Sequence, residues 1–175
     1  MDEAPFEWID GERIALVPGV ARHIETIRAL VRILDAFAQE HKLGEVYSEA
    51  PFVLEYKSDW VKGARVPDVM FFRAERFQQY IDSVPDWGDK LFVIVPDLAI
   101  EVVSPNDRFS IINKKVRQYL ADGVELVWII DPQEQNAYVH RKGHTTILSK
   151  EDTLNGDSVL PRLSVKLGNL FAKKD

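Results

Sequence analysis

The chain has 175 residues, of which 46% are hydrophobic and 29% charged, with a formal net charge of -6 and no cysteine. This length predicts one domain, residues 1–175, large enough to bury a core. The missing cysteine excludes disulfides, thiolate metal sites and cysteine nucleophilic catalysis. No basic or apolar leader follows the acidic Asp2 and Glu3, and no apolar run approaches the roughly 20 residues that cross a bilayer. A soluble cytoplasmic protein without a membrane partner is therefore expected. The acidic net charge argues against a general nucleic-acid coat but leaves room for a local basic cleft.

Phe6 to Val17 reads as a hairpin turning at Asp10-Gly11, ended by Pro18-Gly19. Ala21 to His41 carries Ile24, Ile27, Val31, Leu34 and Ala38 at helical spacing, with Leu30 and Phe37 beside them and Gly44 as the expected C-cap. Strand-like pieces follow at Glu45–Ser48, Phe52–Tyr56 and Val66–Phe72, with 58–65 read as a loop. Ala74 to Trp87 reads as a short helix and a turn, and 90–95 as an edge segment. Pro96 to Pro105 is the most informative stretch, an apolar run with Glu101 in its middle and prolines at its ends. A second helix is expected from Arg108 to Ala121, capped by Asn106 or Asp107 and ended by Gly123. Then come a strand at Glu125–Ile130 and a hairpin of Ala137–Arg141 with Thr145–Leu148 around Lys142-Gly143. The tail from Leu154 to Phe171 shows little periodicity and is expected to pack on the sheet. The order implies an α/β or α+β fold, with a central mixed sheet flanked by helices and hairpins towards both termini.

A carboxylate inside a buried strand is unfavourable unless it is paired or holds a metal. Alternation puts Glu101 on one face with Ala99 and Val103, and Leu98, Ile100 and Val102 on the other. Asp68 stands at the head of another apolar strand. Two such carboxylates can share Mg²⁺ or Mn²⁺, which takes one or two carboxylates and fills its other positions with water and phosphate oxygens. A lysine beside them would orient the attacking water and offset charge. At 100° per residue, the apolar centre of the second helix falls at Ile112, Val116 and Tyr119. Lys114 then projects to water, while Lys115 borders the packed face and can snorkel towards the central strand. Lys115 is therefore the better candidate.

Arg108, Lys114, Lys115 and Arg117 form a segment without acidic residues, and Lys57, Lys62 and Arg65 precede Asp68. Either group can meet phosphates. Trp60 and Trp87 sit in expected loops, where they could stack on bases. Each of these has a plainer reading. Asp68 can be a turn residue, Glu101 the partner of a core arginine, Lys115 a surface residue, and the tryptophans part of the core or its rim. His140 and His144 flank a turn and read as surface residues more than as a metal pair. His23 and Glu25 open the first helix and read as helix-end positions that could also reach the site.

The segments Arg65-Val66-Pro67-Asp68-Val69, Pro96 to Arg108, Lys115 to Tyr119, Gly123-Val124, Val127 to Pro132, and Leu154-Asn155-Gly156-Asp157 to Leu170-Phe171 are specific in this order and spacing. Together they resemble the Uma-type restriction endonucleases, a branch of the PD-(D/E)XK nuclease superfamily. The resemblance runs from the first helix to the C-terminus. It implies a restriction endonuclease-like core and a divalent metal at Asp68 and Glu101. It also implies that Lys115, four residues before Tyr119, replaces the strand lysine whose place Val103 takes. Ile111 stands where similar sequences often carry an acidic residue.

The leading expectation is a Mg²⁺- or Mn²⁺-dependent endonuclease acting on DNA, with Asp68, Glu101 and Lys115 as its catalytic residues. The rivals are an inactive binding module that keeps the fold, and a phosphoesterase acting on RNA or nucleotides. Cutting both strands would favour a homodimer, although nothing in the chain demands one.

Overall fold

The computed structural model describes residues 6–9, 11–15, 20–57 and 60–171. Asp10, residues 16–19, Ser58 and Asp59 lie outside them, so the break expected at Pro18-Gly19 does too.

The N-terminal hairpin pairs β1 (Phe6–Ile9) with β2 (Glu12–Ala15), in a register that runs from Phe6 opposite Ala15 to Ile9 opposite Glu12. Helix α1 spans Ala21–His41, as the periodicity predicts. Its buried stripe is Thr26, Ile27, Leu30, Leu34 and Ala38, while Ile24 is exposed. Lys42, not Gly44, caps it in the left-handed conformation, its N–H reaching the Ala38 and Gln39 carbonyls. Gly44 instead opens β3 (Gly44–Ser48), opposite Arg73. A Cβ there would stand 1.9 Å from the Phe72 carbonyl oxygen, so only glycine allows this approach.

Strands β4 (Glu55–Lys57) and β5 (Trp60–Lys62) form a small hairpin where a strand and a loop are expected. Phe52 bridges to Arg65 and to Phe92, and this bridge is the only ladder contact of the expected 90–95 edge among the described residues. Strand β6 (Val69–Arg73) leads into α2 (Ala74–Ser83), and a 3₁₀ turn follows at Trp87–Asp89. The central strand is β7 (Leu98–Val102), followed by α3 (Phe109–Asp122). Gly123 ends α3 in the left-handed region at φ 105. Neither Asn106 nor Asp107 caps its start. Arg108 occupies that place, and the Asp107 carboxylate accepts from the Ser104 N–H at 2.7 Å.

Strand β8 (Leu126–Asp131) lies parallel to β7, and β9 (Asn136–Arg141) with β10 (His144–Ser149) form the expected hairpin. The tail is more regular than its sequence suggests, pairing β11 (Thr153–Gly156) with β12 (Leu160–Lys166). The main sheet runs β10-β9-β8-β7-β6-β3, antiparallel except for β7 with β8.

Each face of this mixed sheet has its own core. Leu98, Ile100 and Val102 pack with Ile27, Leu30 and Leu34 of α1 and with Leu154, Leu160, Leu163 and Leu167 of the tail. Ala99, Met70, Phe72, Val127 and Ile129 pack with Phe77 and Tyr80 of α2 and Ile112, Val116 and Tyr119 of α3. β7 is buried along its whole length, and Glu101 emerges on the α3 side. No helix among the described residues is long and apolar enough to cross a membrane.

Candidate active site

The pairing of β6 with β7 sets the site. Val69 lies opposite Ile100 and Met70 opposite Ala99. One step further along this register puts Asp68 opposite Glu101, on the same face, where facing side chains start about 5 Å apart at Cβ. Asp68 turns one oxygen inward, and its Oδ2 accepts the Val102 N–H at 2.6 Å.

Glu101 is 7% exposed, and both of its oxygens are engaged from α3. Lys115 Nζ donates to Oε2 at 3.0 Å, and the Tyr119 hydroxyl donates to Oε1. Residues four apart on a helix lie one above the other, so a single face of α3 delivers both donors. Each carboxylate oxygen has two lone pairs, which leaves acceptor capacity for a further partner. The helical phase that favours Lys115 over Lys114 agrees with this placement. Lys114 instead pairs with Glu12 of the N-terminal hairpin at 2.6 Å.

Burial raises the Asp68 pKa well above the carboxylate range, and the Glu101 charge adds to it. The Val102 N–H and the Lys115 charge oppose this shift, while Asp107 reinforces it. A buried carboxyl whose neighbour's negative charge adds to its protonation belongs to a donor set suited to a hard divalent cation. Among the described residues no three His, Cys, Asp or Glu side chains form a metal cage. Mg²⁺ needs none, because it keeps several waters and binds through one or two carboxylates. Asp68 and Glu101 fit that requirement.

One residue joins the site that the sequence did not point to, and one joins it that the sequence left open. Tyr119 reads as a core aromatic from its spacing, and nothing in the sequence tells where its hydroxyl points. His23 comes from α1 on the opposite layer, with Nε2 3.8 Å from Asp68 Oδ1. Glu25, the other helix-opening candidate, is exposed and pairs with Arg28 at 2.8 Å.

The basic residues divide. Arg65 is 8% exposed and pairs with Asp122, at the end of α3, across 2.9 Å. It is a structural tie, not a phosphate contact. Lys62 pairs with Glu55 on the β4–β5 hairpin. Trp87 packs edge-on against Phe77 at 5.8 Å, on the rim of the core and not as a base platform. Trp60 begins β5 and is not in a loop. His140 bonds Thr145 across the β9–β10 hairpin, and His144 contacts Thr146, so they do not form a metal pair.

A known family matches residues 2–168, the Uma2 family, described as "Putative restriction endonuclease". The chain belongs to the Uma2 family. Among solved structures it is similar to the crystal structure of "a putative nuclease belonging to DUF820" from Anabaena variabilis, at 22% identity and a TM-score of 0.78. That likeness covers 95% of this chain and 89% of the other, and it shows a shared nuclease-like fold. No curated protein matches. The match reaches from the N-terminal segment to Gly168, so both strands that carry the carboxylates and the helix that carries Lys115 lie within the Uma2 region.

Proposed function

We propose that this Uma2 protein is a divalent-metal-dependent endonuclease that hydrolyses DNA phosphodiester bonds in the cytoplasm, with residues 1–175 acting as one nuclease domain. Asp68, Glu101 and Lys115 are its catalytic residues. The observation that carries this reading is their convergence, with Lys115 Nζ 3.0 Å from Glu101 Oε2 and Asp68, just ahead of the neighbouring strand, accepting the Val102 N–H at 2.6 Å. The family description supports a nucleic acid as the substrate.

Asp68 and Glu101 would hold the metal. When bound, Mg²⁺ or Mn²⁺ lowers the pKa of a coordinated water and stabilises negative charge on the phosphate. The chain's own residues do the rest. The Val102 N–H fixes one Asp68 oxygen and so orients the other. Tyr119 fixes the rotamer of Glu101. Lys115 brings a positive charge and N–H donors to the point where a nucleophilic water and a non-bridging phosphate oxygen would lie. The apolar packing of Ala99, Val116 and Ile129 around the Glu101 side keeps bulk water from screening these charges.

The test is incubation of supercoiled plasmid with purified protein and Mn²⁺ or Mg²⁺. Nicked or linear product is expected from the wild type, and none from Asp68→Ala or Glu101→Ala. A linear product without a nicked intermediate would point to a paired, two-site assembly. Cleavage that survives both substitutions would remove the site assignment. Cleavage of RNA or nucleotide diesters alone would move the reading to the phosphoesterase. Binding without cleavage of any nucleic acid would leave the fold as a recognition module.

A further inference from the structure

A cavity of about 340 Å³ lies between the first turn of α1 and the turns that follow β7 and β8. Two of its wall residues tie it to the carboxylates. His23 has its Nε2 3.8 Å from Asp68 Oδ1, and Val103 follows Glu101 by two residues. The cavity sits outside the carboxyl ends of two parallel strands, where ligands of open α/β sheets collect.

Its walls are built in advance. Pro105 and Pro132 supply rigid rings, and an aspartate closes the turn that holds each of them. Asp107 accepts the Ser104 N–H at 2.7 Å and returns its own N–H to the Ser104 carbonyl at 2.9 Å. Asp131 accepts the Gln133 and Glu134 N–H groups at 2.9 and 3.0 Å. Val20 and Val103 add apolar surface, while Arg22 and Gln133 bring polar groups. Apolar walls with a few polar groups suit a ring more than a bare phosphate, and the volume falls within the roughly 300–1,000 Å³ of ligand pockets. A strand whose phosphate meets Asp68 and Glu101 carries a base within one nucleotide of that point, so a nucleobase is the ring that can reach the cavity. Helix α1 starts without a side-chain cap or an acidic residue in its first turn, so its free N–H groups favour acceptor atoms such as those on a base edge.

We propose that this cavity is a subsite for an unpaired nucleobase next to the scissile phosphate, and that the protein therefore favours single-stranded or locally opened DNA over intact duplex. Extracting a base from a duplex costs free energy, least where the strand is already single. Arg22 and Gln133 match purine edges, since arginine pairs with guanine O6 and N7 and glutamine with adenine N6 and N7. The inference rests on the nuclease reading above and adds to it the strandedness of the substrate and a base-binding site.

The experiment uses full-length protein, Mn²⁺ and a 5′-labelled DNA strand, alone and annealed to its complement. The single strand should be cut at least about tenfold faster. Replacing one base at a time by a stable abasic site should lower kcat/KM by about tenfold at one position beside the cut. Ala21→Phe, which fills the cavity from the exposed start of α1, should bring the same loss on the intact strand and no further loss on that abasic strand. A merely structural change would not produce this coupling, and the abasic series on the wild type carries the result even if the variant folds poorly. If the wild type cuts and Asp68→Ala does not, but both strand forms are cut alike, no abasic position matters or the two losses multiply, the subsite is overturned while the nuclease stands. If the wild type cuts no DNA, both readings fall.

Discussion

Replacing Lys115 with methionine keeps much of its stem and removes the charge. The Lys115 and Glu101 side chains are 13% and 10% exposed, so the substitution leaves a carboxylate almost out of water with Tyr119 as its remaining donor on α3. Removing one partner of a buried pair costs about 3–5 kcal/mol. The lower end suits a pair that keeps some contact with solvent and a carboxylate that keeps one hydrogen bond. For a chain of this size, about 3 kcal/mol corresponds to a fall in Tm of about 6–12 °C. Metal acts in the opposite direction. An ion present at a hundredfold excess over its Kd stabilises the folded state by about 2.7 kcal/mol, so Mn²⁺ should restore most of the loss. Cleavage should not recover with it, because a charge that stabilises the transition state is worth about 10²–10³ in rate. The assay is thermal and urea denaturation of wild type and Lys115→Met with and without Mn²⁺, beside plasmid cleavage at the same ion concentration. A variant that melts within about 1 °C of wild type and cuts at the wild-type rate would refute the reasoning, since Lys115 would then be a surface lysine.

Two further outcomes are expected. A carboxyl group whose folded pKa is raised contributes stability that is full below its ordinary pKa and lost as pH rises through the folded value. Asp68 is such a group, so its own contribution should decline as pH rises above about 4, against the opposite slope of Glu125 and Asp152, and Asp68→Asn should make the stability–pH slope more positive than wild type while abolishing metal binding. Urea melts from pH 4 to 8 read this directly, and an unchanged slope would contradict the burial of Asp68. Arg65→Met leaves the Asp122 carboxylate, 4% exposed, without its guanidinium and should cost about 3–5 kcal/mol. The double variant Arg65→Met/Asp122→Leu should recover most of that in denaturant melts. Equal stability of the single and double variants would show that the pair is not a coupled unit.

The parts of the fold that were legible in the sequence are those where one periodicity holds over many residues. α1 follows its apolar stripe, and β7 and β8 read as continuous apolar runs because both faces of the sheet are covered. The β4–β5 hairpin was not legible, because strands of three residues are too short to show alternation. In the tail, a register shift at Asn155/Gly156 and a left-handed Arg162 at φ 71 break the alternation of β11 and β12. Gly44 resembled a helix cap because a glycine soon after a helix usually is one. Its actual constraint is a carbonyl on β6, a long-range neighbour that no local pattern reveals.

The candidate site divides in the same way. Asp68 and Glu101 stand out because carboxylates are conspicuous in apolar strands, and Lys115 follows from helical phase. Tyr119 does not stand out, since its ring fully accounts for its burial and only the geometry shows where its hydroxyl goes. His23 is separated from Asp68 by 45 residues of sequence and lies on a different element. Only the packing of α1 brings the two together.

Under the proposed metal-dependent reading, the bonding of Glu101 decides when an ion would be bound. Lys115 offsets the charge of that carboxylate and Tyr119 hydrogen-bonds it, both from within the chain. Folding therefore does not wait for a cation, unlike small domains that collapse around their metal. A chelator should then silence such a protein without unfolding it, and the folded chain would gain and lose an ion as supply changes. Ion availability would set how much of the protein is active, and the fold itself would set how much of it persists.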